Sequence, residues 1–149
     1  MKKTFKAIIS VLLVAVIVVA CFTACSNNAS NSDKVYKVGI CQLTQHEALD
    51  AATKGFRDAL TEKLGDKVVF DEQNASGEST NCTTIVSKFV SDKVDLILAN
   101  ATPALTAATE ATSTIPIVGT SITDYATALA ISDWNGKTGI NVTGTADLA

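Results

Sequence analysis

Apolar positions along this chain switch between two periods. Val35-Tyr36-Lys37-Val38-Gly39-Ile40-Cys41 reads as an extended strand. Behind it Leu49, Ala52, Phe56, Ala59, Leu60 and Leu64 recur at helical spacing, with Asp50, Lys54, Arg57, Asp58 and Glu62 on the other side. Thr44-Gln45-His46-Glu47 matches a capping box, with Thr44 as N-cap and Glu47 reaching back to it, and Gly65 suits the left-handed position that ends a helix. A second strand, Lys67-Val68-Val69-Phe70-Asp71, continues extended towards Asn74-Ala75-Ser76-Gly77. Residues 79–92 then predict a helix burying Cys82, Ile85, Val86, Phe89 and Val90.

The next stretch is the most informative. Val94-Asp95-Leu96-Ile97-Leu98-Ala99 is a continuous apolar run after its first acid, as expected of a parallel strand covered on both faces. It stops in Asn100-Ala101, where Thr102 is placed to cap a helix and Pro103 to be its first residue. Leu105, Ala108 and Ala111 form the inward side of that helix. Ile115-Pro116-Ile117-Val118-Gly119 predicts a fourth strand with proline confined to its start. A polar turn, Thr120-Ser121-Ile122-Thr123-Asp124, leads into a short helical stretch, residues 133–137 read as a loop, and Ile140-Asn141-Val142-Thr143-Gly144 is a fifth strand or a connector.

Strands alternating with helices predict right-handed crossovers and a doubly wound, mostly parallel α/β sheet in three layers, with strand order 2-1-3-4 and a fifth strand at the edge. The polar turns then share one sheet edge, and ligands of such sheets sit beyond the carboxyl ends of the strands. Residues 43–46, 100–102 and 120–124 supply hydroxyls, amides and helix N-termini suited to a carboxylate, worth about 0.3–2 kcal/mol each from the helix dipole. Asp124 is the one acid among them and suits an ammonium, so the set fits an amino acid. Thr44, Thr102, Thr123 and Asp124 are equally placed to cap helices, which is the commoner role for each taken singly. His46, the sole histidine, is either a solvated imidazole or a ligand contact.

The amino terminus is a different kind of segment. Lys2, Lys3 and Lys6 precede an apolar run over residues 7–22, too short for the roughly 20 residues of a spanning helix and suited to an export signal. Thr23-Ala24-Cys25 followed by a Ser/Asn tract resembles a bacterial lipobox, so residues 1–24 read as a lipoprotein signal peptide, Cys25 as the lipidated residue and residues 25–33 as a tether. Cys21 ends a similar pattern, but the tether begins directly after Cys25. The expected location is the outer face of the bacterial cytoplasmic membrane, held by the lipid. Counting from Cys25, 125 residues remain, enough for one domain with a core. Removing the three lysines takes the formal charge from −3 to about −6, which disfavours nucleic acid as a partner.

Catalytic and cofactor signatures are missing from the sequence. Neither GxGxxG nor GxxxxGK[ST] occurs, and no CxxC or Cys/His spacing suggests a metal, so no cofactor is expected. Cys41 and His46 lack an orienting third group, so no nucleophile–base pair is assembled and an enzyme is not expected. Cys41 and Cys82 are either two buried free thiols, the commoner outcome, or a disulfide, since spacing alone cannot place them within bridging distance.

Several runs together resemble one family: Val38-Gly39-Ile40-x-Gln42, His46-x-x-Leu49-Asp50, Gln73-Asn74-Ala75-x-Gly77, Asp95-Leu96-Ile97 with Ala101-Thr102-Pro103, Ile115-Pro116-Ile117-Val118, Thr123-Asp124 and Asn141-Val142-Thr143-Gly144. It is the tryptophan/tyrosine-type ABC transporter substrate-binding lipoproteins, which share the two-lobed type I periplasmic-binding fold. The resemblance implies capture of a small solute, often an aromatic amino acid, and delivery to ABC permease subunits. It also implies that Gln42, Thr44, Gln45, His46, Asn74, Ser76, Ala101, Thr102, Thr123 and Asp124 face the ligand cleft. Members carry proline after Thr-Asp where Tyr125 stands here, and they continue into a second lobe, so residues 34–149 correspond to the first lobe of a truncated or split product. Halving the contacts of a complex of about 1 μM would leave binding near 1 mM. A sugar or other polar-solute binder of the same fold, and a lipid-anchored interaction module without ligand, are the alternative readings. Sugar sites favour paired carboxylates and aromatic platforms, which the turns lack.

Overall fold

Strand-forming and helix-forming runs alternate through residues 34–147, the part of the chain that the computed structural model describes. Residues 1–33, which the sequence reads as a signal peptide and a tether beginning at Cys25, lie outside the described residues. The elements are β1 (Tyr36–Gln42), α1 (Glu47–Leu64), β2 (Val68–Asn74), α2 (Ser79–Ser91), β3 (Leu96–Asn100), α3 (Thr102–Ala111), β4 (Ile117–Ile122), α4 (Tyr125–Ala128) and β5 (Val142–Ala146), with one 3-10 turn over Gly65–Lys67. All neighbours pair in parallel, in the order β2-β1-β3-β4-β5. The fifth strand, read from sequence as strand or connector, is a strand.

Burial follows position in the sheet. The last five residues of β1 and the last four of β3 are buried on both faces, which accounts for their unbroken apolar runs, whereas β2 alternates and β5 buries only Val142. Val38, Ile40 and Leu98 face α1, whose Phe56, Leu60 and Leu64 close that layer. Cys41, Ile97 and Ala99 face the opposite layer, built from Cys82, Val86 and Phe89 of α2 and Ala104, Leu105 and Ala108 of α3. Helices therefore cover both faces of a three-layer lobe. The two outer margins differ: Arg57 bridges Glu72 at 3.0 Å and Lys88 bridges Asp71 at the β2 margin, while β5 shows solvent only Thr143, Gly144, Thr145 and Ala146.

Three sequence expectations are corrected. Thr44 does not cap α1: His46 is the N-cap, its Nδ1 accepting from Ala48 N at 3.2 Å. Residue 44 is drawn aside because its carbonyl accepts from Gln42 Nε2 at 2.8 Å. Thr102 is likewise the first helical residue of α3 rather than its cap, and Ala101 holds the cap position without a side-chain bond. Finally, Thr120, Ser121 and Ile122 belong to β4 instead of a turn, because Thr120 pairs with Asn100 and the β4–β5 register shift at residues 119–122 absorbs Ser121 at φ 56°. Pro116 precedes β4, where its carbonyl still accepts from Ile97 N at 3.0 Å.

Close approach of α2 to the sheet depends on Gly39. A Cβ there would stand 2.6 Å from the Phe89 ring, and Phe89 is fully buried. Gly39→Ala is expected to lower stability by about 1–3 kcal/mol in urea unfolding, with partial recovery when Phe89→Leu is added. An unchanged midpoint would mean that α2 has room to spare.

Candidate functional site

Because every strand runs the same way, all the polar turns lie at one edge. The registers set Asn74, Gln42, Asn100 and Thr120 in a single row across β2, β1, β3 and β4. Gln42 and Asn100 are buried, at 5% and 0% exposure, and burial obliges such amides to find partners. The partner is Thr53, the one fully buried residue of α1. Its hydroxyl donates to Gln42 Oε1 at 2.7 Å and accepts from Asn100 Nδ2 at 2.9 Å. Asn100 Nδ2 also donates to Leu49 O at 2.8 Å, and Gln42 Nε2 donates to Asp50 Oδ1 at 2.5 Å. Asn100 Oδ1 is buried with no partner.

The loops beyond the row are stitched to it by backbone bonds. Leu43 N donates to Asn100 O (3.1 Å), Ala75 N to Gln42 O (2.9 Å), Gly77 N to Leu43 O (2.8 Å) and Ala101 N to Thr120 O (3.0 Å). Ala101 is held at φ 95°, ψ 157°, a region costly for any residue with a Cβ, by about 1–3 kcal/mol. Its carbonyl accepts from Ala104 N and Leu105 N, both at 3.1 Å, so the opening of α3 maintains the strain.

Between the ends of β1 and β2 lies an open cleft of about 700 Å³, lined by Gln42, Thr44, Gln45, Asp50, Glu72, Gln73, Asn74 and Ser76. Five of the ten residues expected at the site meet there: Gln42, Thr44, Gln45, Asn74 and Ser76. Asn74 Oδ1 accepts from Ser76 N at 2.8 Å, which shapes the far lip and helps hold Ser76 at φ 55°. The other five share the edge but not the cleft. His46 is engaged as the α1 cap, and Ala101 opens α3. Thr102 borders a separate groove with Ser79 and Thr106. Thr123 is exposed beside Asp124, which caps α4 by accepting from Thr127 Oγ1 at 2.6 Å and Ala126 N at 2.9 Å. Those bonds, the Thr127 hydroxyl first, hold the Asp124 carboxyl below its ordinary pKa.

Asp50, Glu72 and Gln73 complete the lining without having been singled out. Asp50 falls on the solvent side of α1 by periodicity, and only its bond to Gln42 brings it to the cleft. Glu72 is paired with Arg57 at 3.0 Å. No lining residue of the cleft is basic.

An all-parallel lobe in this strand order, with a polar cleft at its carboxyl edge, is a periplasmic-binding-protein lobe. The chain belongs to the ABC transporter substrate-binding protein family, whose profile matches residues 37–149. It is similar to a tyrosine-binding protein of Clostridioides difficile, 43% identical over 155 residues, covering 95% of this chain and 45% of that protein. Among solved structures it resembles the ligand-free, open form of a substrate-binding protein with adhesive properties from Clostridium difficile (42% identity, TM-score 0.72, 77% of this chain and 40% of that one). It also resembles an ABC domain from Streptococcus pneumoniae in complex with L-Trp (33% identity, TM-score 0.69, 76% and 39%). The chain thus spans less than half the length of these relatives.

Thr53→Val keeps the shape of the side chain but removes the shared hydroxyl, leaving Gln42 Oε1 unpaired in the interior. Urea unfolding is expected to show a loss of about 1–3 kcal/mol. A neutral result would mean that water replaces the hydroxyl.

Proposed function

We propose that this chain is the first lobe of the substrate-binding component of an ABC importer and captures an amino acid, aromatic by preference, for delivery to permease subunits. The observation that carries the reading is the cleft between β1 and β2. It gathers amides, hydroxyls and the Asp50 carboxylate around about 700 Å³ of open space. An α-ammonium group fits Asp50, whose other tie is the Gln42 amide at 2.5 Å. A carboxylate fits the opening turn of α1, where peptide N–H groups and the helix dipole point outward. The relatives named for tyrosine and solved with L-Trp support an aromatic side chain on the ligand.

The role is non-catalytic. In the two-lobed arrangement that family membership implies, this lobe supplies one wall of the site and hinge closure brings the other against it. A lipid on Cys25 would hold the lobe on the outer face of the cytoplasmic membrane, with residues 25–33 as tether.

Isothermal titration against a panel of amino acids and sugars tests the reading. Heat with aromatic amino acids alone is expected, at a Kd near 1 mM for a single lobe. Heat with sugars alone would favour a sugar binder, and silence throughout an interaction module. Asp50→Asn is expected to weaken amino-acid binding about tenfold by removing the charge opposite the ammonium. Unchanged affinity would place the ammonium elsewhere.

A further inference from the structure

Two thiols of the lobe play no part in the cleft. Cys41 and Cys82 are free and fully buried in the same core layer. Cys41 lies on the α2 side of β1 together with Gly39, two residues earlier on the same face. Cys82 and Phe89 lie two turns apart on the facing stripe of α2. The ring of Phe89 against Gly39 fixes how near α2 stands, since a methyl group there would approach it to 2.6 Å. The crossover from β2 to β3 runs α2 antiparallel to β1, so Cys82 in the first turn comes level with Cys41 at the end of the strand. There the two side chains belong to one buried core cluster, Cys41 from the sheet and Cys82 from the helix that covers it. Burial raises the pKa of both thiols, so exchange in the closed lobe is slow and needs the first turn of α2 to open.

We propose that Cys41 and Cys82 are a disulfide-forming pair that ties the first turn of α2 to the end of β1. The two thiols give up two protons and two electrons as the S–S bond forms. A partner disulfide, such as that of an extracytoplasmic thiol oxidase, takes both and becomes a dithiol. Cys41 directly precedes Gln42. Cys82 follows the turn at residues 75–78, which Asn81 Nδ2 fastens through Ala75 O at 3.0 Å. The bond therefore braces both lips of the cleft, and it closes a loop long enough to restrict the unfolded chain substantially. The oxidising setting rests on the extracytoplasmic reading above, whereas the capacity to cross-link does not.

The test is to treat the native full chain with diamide, whose N=N bond takes up the two hydrogens, and to alkylate remaining thiols in denaturant before tryptic mapping. The expected product joins the peptides of residues 38–54 and 68–88, is lighter by two hydrogens, and separates on reduction. Cys41→Ser and Cys82→Ser each abolish it. Oxidation is expected to raise the thermal midpoint by roughly 5–10 °C, reversibly. Both peptides recovered singly alkylated, or cross-linked instead to Cys21, Cys25 or another molecule, would overturn the pairing. A cross-link that lowers the midpoint would overturn the bracing. Because the readout is covalent, a cross-linked chain that binds no amino acid would count against the solute reading alone.

Discussion

The carboxyl edge of this lobe turns on one hydroxyl. Thr53 Oγ1 lies between two buried amides, Gln42 and Asn100, and satisfies one from each side. In a low-dielectric interior an unmet polar group is costly, and the hydroxyl meets Gln42 Oε1 and Asn100 Nδ2 while Asn100 Oδ1 stays without a partner. The hydroxyl comes from α1, so these two bonds tie the helix to the ends of β1 and β3. From that placement follow the reach of Gln42 to Asp50, the diversion of residue 44 and the start of the helix at Glu47.

The same knot decides where the opening lies. Reversal of strand order falls between β1 and β3, the usual position for a ligand crevice in an open parallel sheet. Here that crevice is occupied by the protein, with Asn100 bonded to Leu49 O and Thr53 above it. Space remains one strand further out, at the ends of β1 and β2, beside Glu72, Gln73 and Asn74. Strain at Ala101 marks the filled side, and the Asx turn at Asn74 and Ser76 marks the open side.

Much of the architecture was legible in the sequence because the period of apolar residues is a local property. Four strands, three long helices and a shared polar edge follow from it, whereas the segment that forms β5 reads equally as a strand or a connector. What was illegible depends on contacts across the sheet. Thr53 interrupts an otherwise apolar stripe, and nothing local shows that it answers Gln42, eleven residues earlier, and Asn100, forty-seven later. Thr44 has the signature of an N-cap yet loses the place to His46, since the Gln42 amide competes for its carbonyl. Thr120, Ser121 and Ile122 look like a turn until pairing with Asn100 draws them into β4. Half of the expected site residues reach the cleft, because sharing an edge places side chains at one level without bringing them to one spot.

The unequal margins of the sheet carry a practical consequence. A stray strand approaching beside β2 meets the Arg57–Glu72 and Lys88–Asp71 pairs, while the exposed side chains of β5 are small and neutral. The β5 strand itself therefore presents no charged side chain to a stray strand. A lysine at Thr143 or Thr145 would improve handling at high concentration from the end of the sheet farthest from the cleft.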